Sequence, residues 1–215
     1  MDLSVYKNQL IFNSYYRSGN VFLGFLFSKL SNYPQTQHHI TELYSDTDVK
    51  NVVMFRNPYD SISSVIIKRR VDSKVDLPSL DNDFDLSFEI DSLSEEYLHY
   101  VKEAQDNFNQ IYVGHFETMI QDPIAEIRKI CKFFNLTFLE PNKSFEELYN
   151  EIKEELFNRE GPAGAENLMT AHDGHMPREK IEARILVDQL VKESNSLKLK
   201  EAYETYSQLK YTEVL

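Results

Sequence analysis

A three-layer α/β domain, a mostly parallel sheet flanked by helices, is predicted by two observations on this sequence. The first is a recurring unit in which a short apolar run leads into a turn or cap and then a helical stretch. The runs are Leu10-Ile11-Phe12, Asn51-Val52-Val53-Met54-Phe55 and Ile111-Tyr112-Val113-Gly114-His115-Phe116. The second is size: 215 residues at 41% hydrophobic and 13% aromatic supply one well-buried core and too little for two. Residues 1–215 are therefore expected to form a single domain.

The first run ends in Asn13-Ser14-Tyr15-Tyr16-Arg17-Ser18-Gly19-Asn20, after which Val21 to Leu30 is apolar enough for a buried helix. The second run is followed at once by Arg56-Asn57-Pro58-Tyr59-Asp60. Asn57 can cap a helix with Pro58 at its first position and Asp60 in its first turn, where an acid suits the exposed N–H groups. That helix should run to about Lys68, with Ile62, Val65 and Ile66 on one side. Residues 71–94 are acidic and lack a sustained period, so they read as a loop leaving the core. Helical spacing returns from Ser94, a candidate cap, to Phe108. Asp122-Pro123 repeats the cap-and-proline device ahead of a helix from Ile124 to Phe134. A further helix is expected over Phe145 to Phe157, a glycine-rich loop over 159–176, and helical sequence from Pro177 to about Tyr206.

Charge and cysteine content narrow the function classes. A formal net charge of −12 argues against nucleic-acid partners and acidic membrane surfaces, so an anionic ligand would need a local basic pocket. Met1 to Gln9 has no basic-then-apolar leader, and no run is long and apolar enough to span a bilayer, which predicts a cytoplasmic protein. Cys131 is the only cysteine, so no internal disulfide can form. It lies in the stripe Ile127, Ile130, Cys131, Phe134 and is expected to be a core thiol. His172, Asp173 and His175 offer too few convergent ligands for a metal, and a polar loop is the preferred reading.

Ligands of parallel sheets bind outside the C-terminal ends of the strands. Two loops there carry anion-binding chemistry. Arg17-Ser18-Gly19-Asn20 joins a glycine turn, a hydroxyl and a guanidinium to the N–H groups of a helix start, a combination that suits a phosphate or sulfate ester. Arg56 at the end of the second strand, with Ser63 and Ser64 two turns later, gives a second cation and hydroxyls. Two anion sites suggest a ligand with two separated anionic groups.

Tyr16-Arg17-Ser18-Gly19-Asn20-Val21-Phe22 resembles the 5′-phosphosulfate loop of the sulfotransferase family, Pro-Lys-Ser-Gly-Thr-Thr-Trp, with Arg17 in place of the lysine. The segment from Val53 to Ser64 is similar to the family's 3′-phosphate segment, and Arg56 and Ser64 fall on its arginine and serine. Phe116-Glu117-Thr118-Met119-Ile120-Gln121-Asp122-Pro123 resembles Tyr-Glu-Asp-Met-x-x-Asn/Asp-Pro, whose aromatic lies near the adenine. Arg159-Glu160-Gly161-Pro162-Ala163-Gly164 has the Arg-x-Gly-x-x-Gly shape of the C-terminal cofactor loop. The resemblance implies a P-loop-like sulfotransferase architecture that binds 3′-phosphoadenosine 5′-phosphosulfate (PAPS) and releases adenosine 3′,5′-bisphosphate. It implies cofactor contacts from Arg17, Ser18, Gly19, Asn20, Val21, Phe22, Arg56, Ser64, Phe116, Arg159 and Gly161. Phe22 and Phe116 would wall the base, residues 159–176 would cover the cofactor, and 71–94 would face the acceptor. Asn20-Val21 replaces two threonines usual in the family.

In-line sulfuryl transfer needs a cation for the leaving phosphate and a base for the acceptor proton. Arg17 supplies charge but, unlike lysine, no proton at neutral pH. For the base, Gln37-His38-His39 is the nearest counterpart of the Lys-Thr-His segment of related cytosolic enzymes. His39 falls on the matching place, His38 stands one step away, and Glu42 is in reserve. The acceptor implied is a hydroxyl or amine of a small molecule or glycan. Two other readings compete: a small phosphotransferase or nucleotide kinase, against which the missing Walker lysine counts, and a non-catalytic module that binds the bisphosphate or PAPS.

Overall fold

The computed structural model describes residues 8–15, 19–38, 49–72, 83–161 and 178–213. Strand β1 (Leu10–Asn13) leads through the Gly19 turn into helix α1 (Asn20–Leu30), and β2 (Gln35–His38) follows. Next come β3 (Lys50–Phe55), α2 (Pro58–Asp72), α3 (Asp83–Asp106) and β4 (Tyr112–His115). The short α4 (Phe116–Met119) continues from β4 and is followed by α5 (Pro123–Phe133), α6 (Phe145–Glu160), α7 (Arg178–Glu193) and α8 (Leu197–Ser207). The four strands form one sheet in the order β2-β1-β3-β4, every pair parallel. The expected α/β fold, a parallel sheet flanked by helices, is what the chain adopts.

Alternation along the strands builds two cores. Val53 and Phe55 of β3, with Val113 of β4, face α2, α3, α7 and α8. Val52 and Met54, with Tyr112, face α1, α5 and α6. Side chains two apart share a face, so each fully buried strand must be apolar on both sides. The lack of alternation in Asn51-Val52-Val53-Met54-Phe55 records that. Caps fall where expected: Asn57 Oδ1 accepts the Tyr59 N–H at 3.0 Å at the start of α2, and Asp122 Oδ1 accepts that of Ala125 at 2.9 Å, with Pro123 at the first position of α5. A reciprocal capping box between Ser144 and Glu147 starts α6.

Two expectations need correction. Residues 83–94 are not a loop: α3 begins at Asp83, and Leu86, Ile90 and Leu93 are buried in the core. Leu86, Ile90, Leu93, Tyr97, Tyr100, Val101 and Ala104 form one apolar stripe at spacings of three and four, diluted by acidic residues on its solvent side that mask the period. Ser94 consequently does not cap a helix; it lies inside α3 and donates to the Ile90 carbonyl at 2.6 Å. Residues 73–82 lie outside the described residues. The long C-terminal helix expected from Pro177 is broken in two, because Ser196 caps a fresh helix by accepting the Leu199 N–H at 3.0 Å.

Candidate functional site at the strand ends

Register determines what meets at the C-terminal edge of the sheet. Phe55 pairs with His115, so the chain positions that follow them, Arg56 and Phe116, emerge side by side. The Arg56 guanidinium carbon stands 4.9 Å from the centre of the Phe116 ring, within cation–π range. Gly19 closes on the same ring. Its φ of 78° is left-handed, and a Cβ there would come 2.9 Å from Phe116 Cε2 and 2.8 Å from Met119 Cε. Glycine is required both by conformation and by space. Gly19 caps α1 without a side chain, and no acidic residue stands in the first turn. That helix start therefore keeps its positive dipole end directed at the strand edge.

The backbone around Arg56 is gripped from two sides. Tyr97 of α3 donates its hydroxyl to the Arg56 carbonyl at 2.6 Å, and the Asn57 N–H donates to Glu117 Oε1 at 3.1 Å. Nearby, Tyr100 donates to the Asn13 carbonyl at 2.7 Å and Tyr15 to the Leu93 carbonyl at 3.0 Å, which ties the end of β1 to α3. Ser14 Oγ accepts the Met54 N–H at 2.9 Å, joining the first loop to β3.

A polar cluster lies behind Phe116. His115 Nδ1 approaches Glu117 Oε2 to 2.9 Å. His115 Nε2 lies 2.8 Å from the Tyr206 hydroxyl of α8, which also donates to Glu117 Oε2 at 3.4 Å. Burial acts to raise the Glu117 carboxyl, but His115 and the Asn57 N–H outweigh it and hold it below its ordinary value. Burial, then Tyr211 and Glu117, push the Tyr206 hydroxyl well up, so it stays a protonated donor.

The sequence-predicted residues divide as follows. Gly19, Arg56 and Phe116 come together. Val21 is partly buried in the first turn of α1, and Ser64 is buried on α2. Phe22 is buried against Phe145 and Tyr149 of α6, with ring centres 6.1 and 6.0 Å away. Arg159 and Glu160 belong to α6 and not to a loop, and the Arg159 guanidinium lies 5.7 Å from the Phe25 ring centre on α1. Gly161 ends that helix at a φ of 72°. His38 closes β2 beside Asn13. Arg17, Ser18, His39, Glu42 and residues 162–177, His172, Asp173 and His175 among them, lie outside the described residues, as do the side chains of Asn20 and His38. Sequence reasoning missed Tyr97, Tyr100, His115 and Tyr206. The two α3 tyrosines had a signal in their three-residue spacing; the other two are joined only by the fold.

Among the described residues no helix is long and apolar enough to cross a membrane. No curated protein matches the chain. Among solved structures, a sulfotransferase from Alicyclobacillus acidocaldarius matches at 20% identity and a TM-score of 0.34, covering 57% of this chain and 54% of its own. The chain thus spans about half the length of that structure. The family model described as Sulfotransferase domain matches residues 29–182, a stretch that holds Arg56, Ser64, Phe116 and Arg159 but begins after the Gly19 turn. By that match over most of its length, the chain belongs to the sulfotransferase domain family.

Proposed function

We propose that this protein is a sulfotransferase that takes its sulfuryl group from PAPS and delivers it to a hydroxyl or amine of a small-molecule or glycan acceptor. The observation that carries the reading is the convergence of the Gly19 helix start, Arg56 and Phe116 on one sheet edge. A helix N-terminus and a guanidinium held at separate points of that edge, beside an aromatic ring, fit a ligand with two anionic groups on a sugar that also carries a flat base.

In this reading the first-turn N–H groups of α1, with Arg17 and Ser18, hold the phosphosulfate end, and Arg56 with Ser64 holds the 3′-phosphate. Arg159, Gly161, Phe22 and Val21 border the nucleotide. When bound, PAPS supplies an activated sulfuryl group on a stable leaving group. Arg17 and the α1 start neutralise charge where the leaving phosphate sits. His39 takes the acceptor proton, with His38 and Glu42 as alternatives.

Thermal shift with adenosine 3′,5′-bisphosphate, alongside ATP with Mg²⁺, tests the donor assignment, because a ligand that binds only the native state raises the melting temperature. The bisphosphate is expected to stabilise and ATP is not; equal stabilisation would overturn the reading in favour of a phosphotransferase. Transfer of labelled sulfate from PAPS to a panel of phenols, amines and glycans tests turnover, and donor binding without transfer to any acceptor would leave a binding module.

A further inference from the structure

We propose that Glu117 is a positioning residue for the Arg56 anion site, and that it makes the pocket selective for a nucleotide carrying a 3′-phosphate. The inference rests on the donor assignment above and adds a residue that makes no contact with the nucleotide.

The argument begins at the Arg56-Asn57 peptide. A cation at a strand end selects an anion only if its backbone is fixed, since a long flexible side chain on a mobile loop loses rotamer freedom on binding. The Arg56 carbonyl is fixed by the Tyr97 hydroxyl at 2.6 Å, and the following N–H by Glu117 Oε1 at 3.1 Å. Glu117 is thus the partner that holds the loop from the β4 side. It is also the residue after Phe116, the ring on which the guanidinium rests. One short helical turn therefore sets both the backbone and the side chain of Arg56.

Glu117 is itself held. Its second oxygen faces His115 Nδ1 at 2.9 Å and the Tyr206 hydroxyl at 3.4 Å, and Tyr206 reaches His115 Nε2 at 2.8 Å. The carboxylate so carries two tasks with two oxygens: one accepts from the anion loop, the other is anchored to β4 and α8. Since α8 packs on α3, the element that bears Tyr97, both grips on the loop trace back to the same helix pair. A carboxylate near a phosphate site would repel the ligand if it faced it. Here both its oxygens are engaged with protein groups, the Asn57 N–H on one side and His115 and Tyr206 on the other.

The test is titration calorimetry with adenosine 3′,5′-bisphosphate and with AMP, which lacks the 3′-phosphate, on the full chain. Wild type is expected to prefer the bisphosphate. In Glu117→Ala that preference should fall by about tenfold, the value of one charge-assisted bond, with AMP affinity unchanged. Tyr206→Phe keeps the carboxylate but removes one anchor, and should reduce the preference by a smaller factor; it decides the matter if Glu117→Ala does not fold. A preference unchanged in both variants, or an equal loss for both ligands, would overturn the positioning role while leaving the donor assignment standing. Absence of any preference in wild type would overturn both.

Discussion

Arg56 rests on Phe116 because the two follow a paired register position on neighbouring parallel strands, Phe55 and His115. Replacing Arg56 by Ala is expected to weaken adenosine 3′,5′-bisphosphate binding by about 1.5 to 3 kcal/mol, the range for a hydrogen bond to a charged group. Arg56→Lys keeps the charge but loses the planar fork and its stacking, so it should recover only part of the loss. Titration calorimetry on the three proteins checks this, and an unaltered affinity in Arg56→Ala would take the residue out of the site.

Gly19→Ala should destabilise the fold by about 1 to 3 kcal/mol, from a left-handed φ forced on alanine and a Cβ pressed against Phe116 and Met119. Met119 can move its terminal methyl; the Phe116 ring, with Arg56 on it, has less room. Chemical denaturation would detect the change, and a variant as stable as wild type would mean that the turn relaxes freely.

The Glu117 carboxyl is held below its ordinary value in the folded state, so it contributes stability that is present above that value and lost as pH falls through the depressed one. Glu117→Gln removes the titrating group. The difference in melting temperature between wild type and Glu117→Gln should stay constant above about pH 4.5 and close as the pH drops further. A gap that widens toward acid would reverse the sign and contradict the assignment.

Cys131 is buried at 1% exposure and its thiol is pushed up by burial, against a smaller opposing effect of Ser31. A thiol reagent such as Ellman's should therefore find no reactive cysteine in the native protein and one after denaturation. Rapid labelling of the native chain would show that the α5 face opens.

Ile90→Ala is expected to cost about 2 to 5 kcal/mol, as for other truncated core aliphatics. That result would mark residues 83–94 as core, a point the sequence concealed. Their acidic residues look like loop composition, whereas the buried stripe of α3 is visible only once both partners of the helix are known. Cap chemistry, by contrast, is local, which is why Asn57-Pro58 and Asp122-Pro123 could be read directly. The two strand-end loops were legible for the same reason: strand end, glycine and arginine are neighbours in the chain. The grip of Tyr97 and Glu117 on the Arg56 loop was not, because those contacts span 41 and 60 residues of sequence. Phe22 was legible only in part, for the motif places its ring at the start of α1 while its two aromatic partners come from α6, beyond the motif.

The outer edge of β4 is closed by the chain itself: the Thr212 N–H donates to the Val113 carbonyl at 2.9 Å, and its hydroxyl accepts the Val113 N–H at 2.9 Å. The two residues are 99 positions apart. During synthesis β4 leaves the ribosome long before its cover does, and at 5 to 20 residues per second its bare edge waits for about 5 to 20 s. An uncovered edge is a template for pairing with another chain. The segment around Thr212 therefore shields a strand edge that would otherwise stay open to pairing for as long as the intervening residues take to be made.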